Sequence, residues 1–206
     1  MRRSLSALLM LSLAVVYGCA LTHAPDGPAK TPDVPYVPTR LEIVREMLAM
    51  ASVGAGDVVY DLGSGDGRIV ITAAREHGAR GVGYEIDPAL VRRAETNARR
   101  AGVADRVRFV LGDIFEADLR EATVVTLYLL PEINLKLKPK LLAELRPGTR
   151  VVSHNYDMGA DWLPEKVRRM SFEGSDHTVY FWRVPARTGA TRPPGAFAAA
   201  PPAPER

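Results

Sequence analysis

Three glycines at alternate positions, Gly63, Gly65 and Gly67, interrupt an acidic stretch in residues 58–68, VVYDLGSGDGR. Lacking a Cβ, each can take positive φ and bring backbone N–H groups close to a ligand. The apolar run VVYDL therefore reads as a buried strand feeding a ligand-holding loop. The acids beside the glycines decide the sign of the ligand. A G-x-G-x-x-G loop seats a pyrophosphate on a helix N-terminus. Here the spacing is G-x-G-x-G, and Asp61 and Asp66 stand in or beside the turn. At short range in a partly dry cleft, two carboxylates repel a diphosphate and suit a ligand with a cationic end.

Acids recur at the ends of the next two expected strands. Glu85 lies 24 residues after Asp61, where a carboxylate can accept from both hydroxyls of a ribose. Asp113 follows RVRFVLG and is placed to take an exocyclic amine of adenine, with Ile114 and Phe115 covering the ring. One such acid is an ordinary helix cap or a solvated loop residue. Three at consecutive strand ends, the first leading into a glycine loop, describe a cationic adenosine ligand. S-adenosylmethionine, with its ammonium and sulfonium, meets that description, and Ser64, Asp66, Gly67 and Ile86 complete the expected contact set in and beside the loops.

Placing these residues requires strands and helices in alternation. Thr39 is expected to cap a helix over 40–51, with Glu42 completing a capping box. Leu41, Ile43, Val44, Met47 and Leu48 share a face of that helix, and Gly54 and Gly56 follow it. Strands are expected at 58–62, 81–86, 106–112, 122–130 and 149–155. Helices at 67–77, 88–101 and 132–145 separate them. In the second of these, Asp87 is the N-cap, Pro88 follows, and Val91, Ala94, Asn97 and Ala98 form one face. Lys136, Lys138 and Lys140 read as a solvated face of the third. The segments 166–172 and 177–184, split by 173–176, read as an antiparallel hairpin. The fold class is α/β, a Rossmann-like parallel sheet with helices on both faces and ligands beyond the carboxyl ends of the strands.

The chain of 206 residues accommodates one domain of ordinary size plus tails. Its formal charge of +3 resides in the terminal segments, leaving 39–186 neutral. A neutral domain lacks the broad basic footprint of a nucleic-acid binder, so no nucleic-acid partner is expected. Cys19 is the sole cysteine, which excludes an intrachain disulfide and a cysteine zinc site. Residues 1–19 have a basic start, an apolar run and small residues, the form of a secretory signal. Val16-Tyr17-Gly18-Cys19 resembles a bacterial lipobox, with Cys19 as the lipidated residue. The expectation is export to the periplasm or anchoring to a membrane, with a cytoplasmic location as the alternative. Proline-rich residues 20–34 form a linker, 35–185 the domain, and 186–206 a disordered tail.

DLGSGDGR, GVGYEID and LGDIFEADL resemble the cofactor motifs of class I S-adenosylmethionine-dependent methyltransferases. Together with PYVPT and LYLLPEINLKLKPKLLAELRPGTRVVSH, they resemble the branch that holds mitochondrial protein-lysine methyltransferases and bacterial relatives. The resemblance spans about residues 35–185 and implies a seven-stranded sheet ending in an antiparallel hairpin. It implies that Gly63 and Gly65 approach the methionine part, Asp61 its ammonium, Glu85 the ribose and Asp113 the adenine. Tyr36 and Thr39 would close over the cofactor.

Methyl transfer is an in-line displacement at a carbon already activated by sulfonium, so alignment supplies much of the acceleration and no strong base is demanded. Leu127-Tyr128-Leu129-Leu130-Pro131 occupies the place of the Asp/Asn-Pro-Pro-aromatic motif, which argues against a DNA adenine acceptor. Tyr128, His154 and Asn155 are the catalytic candidates, with Tyr156 beside them. His154 serves equally as a structural histidine or a base, and Tyr128 as a packed aromatic or a catalytic group. Asp157 and Trp162 are placed to shape an acceptor channel. The expected activity is methyl transfer to a nitrogen nucleophile, a protein lysine first. A small-molecule acceptor and a non-catalytic cofactor-binding envelope module are the alternatives. The acidic loop disfavours a nicotinamide oxidoreductase.

Overall fold

The computed structural model describes residues 36–187. The signal-like segment with Cys19, the linker and most of the C-terminal tail lie outside the described residues.

Short apolar runs bounded by glycines and charged turns make five parallel strands, β1 (Val58–Leu62), β2 (Arg80–Glu85), β3 (Val107–Leu111), β4 (Val124–Leu127) and β5 (Arg150–His154). Helix α1 (Leu41–Met50) precedes them. Helices α2 (Arg68–His77), α3 (Pro88–Arg100) and α4 (Pro131–Glu144) follow β1, β2 and β4. Strands β6 (Lys166–Phe172) and β7 (Ser175–Arg183) close the domain. The seven-stranded sheet runs β3-β2-β1-β4-β5-β7-β6, and β7 pairs antiparallel with both its neighbours. Strand order reverses between β1 and β4, which opens a crevice beyond their carboxyl ends.

Both faces of the sheet are covered. Ile43, Val44, Met47 and Leu48 of α1 pack with Ile69, Val70 and Ala73 of α2 against Val59, Val124, Val152 and Phe181. On the other face Ile133, Leu137 and Leu141 of α4 meet Tyr60, Leu62, Val125, Leu127 and Trp182. Burial on both sides explains why all five residues of β1 are buried, Asp61 included.

Four local expectations are corrected. Thr39 does not cap α1: Arg40 occupies the N-cap without a side-chain bond, and Thr39 Oγ1 faces His154 Nδ1 at 3.4 Å instead. The apolar run 122–130 is strand only over Val124–Leu127, because its ladders with β1 and β5 end at Leu127. The β6–β7 turn is Glu173-Gly174 alone, with φ of 50° and 78°, the two-residue hairpin type that matches strand twist. Lys138 and Lys140 are not a freely solvated row: they bond Asp161 and Glu144, and Lys138 Nζ also donates to Met158 O at 2.9 Å.

Candidate active site

The strand ends and α4 wall a cavity of about 560 Å³, within the range that holds drug-sized ligands. Asp61, the penultimate residue of β1, lies at the cavity floor, 2% exposed. Thr126 Oγ1 from the adjacent β4 donates to Asp61 Oδ1 at 2.8 Å. Burial pushes the Asp61 carboxyl up to about 7; the Thr126 bond opposes that, and the nearby Glu85 and Asp66 charges reinforce it. No cationic side chain pairs with Asp61 among the described residues. The site thus holds a buried carboxylate that a positively charged ligand would relieve.

The glycine loop crosses above this floor. Gly63, Gly65 and Gly67 have φ of 83°, 55° and 79°, all in the left-handed region that side chains disfavour. Gly63 and Ser64 N–H both donate to Tyr84 O at 2.9 Å, which pins the loop to β2. Gly63, Ser64, Gly65 and Asp66 line the cavity, whereas Gly67 does not. A Cβ on Gly67 would lie 2.5 Å from the Phe109 ring, so this glycine seats α2 against the sheet rather than touching a ligand.

Glu85 also lines the cavity, and its carboxylate accepts from Gly65 N at 2.8 Å, Ile86 N at 2.8 Å and Asp87 N at 2.9 Å. It braces the loops on both sides while leaving carboxylate acceptor capacity toward the cavity. Asp113 lines the far end, accepting from Phe115 N at 2.9 Å, and Ile86, Leu90, Ile114 and Phe115 surround that end with apolar surface.

Asp66 lines the cavity and also carries a structural bond. Burial raises its pKa, but hydrogen bonds and charge from Arg68, with a bond from Tyr36, outweigh that and hold it below the usual range. Arg68 Nη2 meets Asp66 Oδ2 at 2.7 Å. The same guanidinium donates from Nη1 to Thr39 O at 2.8 Å. Asp66 is therefore the anchor that holds residues 36–39, a strap across the cavity mouth, and Asp61 is left as the carboxylate open to a ligand's charge. Tyr36 packs so closely over Gly65 that a Cβ there would sit 2.4 Å from the ring.

At the β4 and β5 end the lining consists of Tyr128, Leu129, Leu130, Ile133 and Tyr156. Burial, with the neighbouring Tyr156, raises the Tyr128 pKa, while an Asn155 hydrogen bond opposes this, so the hydroxyl stays protonated. Asn155 itself does not line the cavity: at φ 64° it accepts from Thr178 N at 2.9 Å and locks the end of β5 onto β7. His154 is also outside the lining, 1% exposed, with its ring centroid 4.0 Å from that of Tyr128. Burial, then the nearby His177, lower its pKa to about 4, so the ring is neutral near neutral pH and only a weak base. Asp157 and Trp162 are likewise absent from the lining; Asp157 accepts from Gly159 N, and Trp162 O accepts from Trp182 Nε1 at 2.8 Å.

Residues 61–166 match the family described as ANTKMT methyltransferase domain. A protein-lysine N-methyltransferase of Saccharolobus islandicus is 49% identical over 154 residues, covering 74% of this chain and 95% of that protein. The chain belongs to the ANTKMT methyltransferase family. The mouse adenine nucleotide translocase lysine N-methyltransferase is 37% identical over 163 residues, covering 75% of this chain and 70% of that protein. Among solved structures, an RNA methyltransferase from Salinibacter ruber in complex with S-adenosyl-L-homocysteine superposes with a TM-score of 0.69 at 60% identity. It covers 73% of this chain and 95% of that one. The present chain is thus an S-adenosylmethionine-dependent methyltransferase, an enzyme rather than a non-catalytic binding module.

The methyltransferase's own residues fit that cofactor. Asp61 is a buried carboxylate that would suit the ammonium, the left-handed glycine turn lies along the cavity, and the apolar slot beside Asp113 would suit a flat ring. Two supporting residues escape a reading of the sequence. Arg68 directly follows the glycine loop, and this position was its one available signal. Asn134, fully buried on α4, donates to Ser153 Oγ and to the carbonyls of Tyr156 and Asp157 at 3.2 to 3.4 Å. Its signal was a lone amide on the apolar face of Ile133, Leu137 and Leu141.

Proposed function

We propose that the enzyme transfers a methyl group to the ε-amine of a lysine in a protein. The observation that carries this reading is the composition of the β4 and β5 end of the cavity. Two tyrosines and three aliphatic side chains line it, with no acid or base among them. A lysine ammonium entering such a site is desolvated, which lowers its pKa toward the neutral, nucleophilic amine. The Tyr128 hydroxyl, kept protonated, can accept an amine N–H and turn the nitrogen lone pair toward the cofactor side. Its ring and that of Tyr156 can hold the methylammonium product through their π faces. The bound cofactor supplies an electrophilic methyl carbon, and the chain's part is alignment and exclusion of water. The lysine-specific names of the Saccharolobus and mouse relatives support the same acceptor.

The competing acceptor is RNA, named for the Salinibacter neighbour. The neutral domain and the Leu-Tyr-Leu-Leu sequence after β4 weigh against it. Incubating the full-length enzyme with methyl-labelled S-adenosylmethionine and a fractionated lysate separates the two. Protease-sensitive, ribonuclease-resistant label supports the proposal, and label lost to ribonuclease overturns it. For the segment preceding the domain we propose export or anchoring through Cys19. A mature N-terminus at a lipidated Cys19 supports anchoring, and an intact Met1 contradicts processing.

A further inference from the structure

Strap residues 36–39 are bonded to both halves of the cleft. On the glycine-loop side, Arg68 Nη1 holds Thr39 O at 2.8 Å and Tyr36 packs over Gly65. On the opposite side, Thr39 Oγ1 faces His154 Nδ1 at a long 3.4 Å. The His154 ring in turn lies 4.0 Å from the Tyr128 ring, centroid to centroid. Tyr128 and Thr39 both line the cavity; His154, 1% exposed, does not, so it reaches cofactor and acceptor only through these two neighbours.

The far side of His154 fixes its orientation. His154 Nε2 pairs with His177 Nδ1 at 3.0 Å, and His177 Nε2 is buried without a partner. An orphaned buried N–H is rarer than an unused lone pair. His177 therefore carries its proton on Nδ1 and donates to His154 Nε2. That leaves the His154 proton on Nδ1, directed at Thr39 Oγ1, an assignment that follows from the bonding pattern. The Phe172 ring lies 6.3 Å from that of His177, centroid to centroid, on the hairpin side.

We propose that His154 is a positioning residue that couples closure of the strap over the cofactor to the placement of Tyr128 at the acceptor. When the strap settles on bound cofactor, Thr39 tightens its contact with His154, and the stacked Tyr128 ring is held at the angle that receives the amine. The Tyr128 half of this rests on the acceptor site proposed above; the Thr39 half does not.

The test uses the full-length enzyme with Thr39→Val, His154→Phe and the double variant. S-adenosylmethionine affinity is measured by calorimetry without acceptor, followed by kcat at saturating cofactor and the melting temperature. Each single change is expected to weaken cofactor binding roughly three- to tenfold, the scale of one hydrogen bond. The double variant should be no weaker than the worse single one, and kcat should fall in both single variants. Losses that multiply in the double variant, or cofactor affinity unchanged in folded variants, overturn the coupling. If His154→Phe does not fold, Thr39→Ser against Thr39→Val decides: serine restores affinity on this account, and equal affinities contradict it. Because affinity is read without acceptor, a wild type that methylates no lysine refutes the acceptor reading while this arm remains readable.

Discussion

Burial raises the Asp61 carboxyl to about 7, so near neutral pH the ligand-free enzyme carries a partly ionised acid in its floor. The folded pKa lies above the unfolded value of about 3.9, so this group favours the fold most at low pH. That advantage is lost as pH rises from about 4 through 7. Cofactor binding runs the other way, because the ammonium wants the ionised form. Asp61→Asn is therefore expected to stabilise the ligand-free enzyme at pH 8 by on the order of 2 to 4 kcal/mol. It should also weaken S-adenosylmethionine binding by about thirtyfold or more. Calorimetry of wild type from pH 5.5 to 7.5 should show affinity rising with pH, and the variant should lose that limb. Gly67→Ala, whose Cβ would lie 2.5 Å from Phe109 at a φ of 79°, is expected to destabilise the fold by about 2 kcal/mol or more in thermal unfolding. Asp61, Glu85 and Asp113 were legible because strand ends and a glycine loop fix where an acid must point. The bond of Asp66 to Arg68 was not legible, since Arg68 gave no signal beyond its position, and Thr39 was taken for a cap because its contact lies 115 positions away.

At the scale of elements, the strands are stitched together at the end away from the cleft. Asp57 accepts from Gly54 N at 2.9 Å and Thr123 Oγ1 at 2.8 Å and pairs with Arg150, which also donates to Ala51 O at 2.8 Å. Burial raises the Asp57 pKa, but these bonds outweigh it and leave the carboxyl below its usual range. Its stabilisation is present above about pH 4 and is lost as pH falls through the lowered value. Arg150→Met is expected to cost about 2 to 4 kcal/mol in denaturant unfolding while leaving cofactor affinity within twofold, because β1 and β5 begin here and carry the site at their other ends. A large loss of affinity would show that the base and the site are not separable. The elements themselves were mostly legible from apolar runs and turn residues. The run ATVVTLYLL misled because its apolar character continues past Leu127, where pairing stops and Tyr128 and Leu129 turn into the cavity.

For the molecule as a whole, the alternation of strands and helices specified a parallel sheet. The family resemblance implied a seven-stranded sheet ending in an antiparallel hairpin, but the insertion of β7 between β5 and β6 was not read from the sequence, because it is a property of long-range pairing that no local pattern encodes. The cofactor half of the cleft was similarly more visible than the acceptor half. A charged, multi-armed cofactor demands acids and glycines at set places, whereas an amine needs only an apolar passage, and such residues look like core in a sequence. On the function proposed here, this passage delivers a lysine amine to the cofactor. The most direct test of that function is amino-acid analysis of protein labelled by the full-length enzyme with methyl-labelled S-adenosylmethionine, with Asp61→Asn as control. Label is expected in methylated lysine, and reduced by the substitution at cofactor concentrations below saturation; label in any other residue, or label undiminished in Asp61→Asn under those conditions, would contradict it.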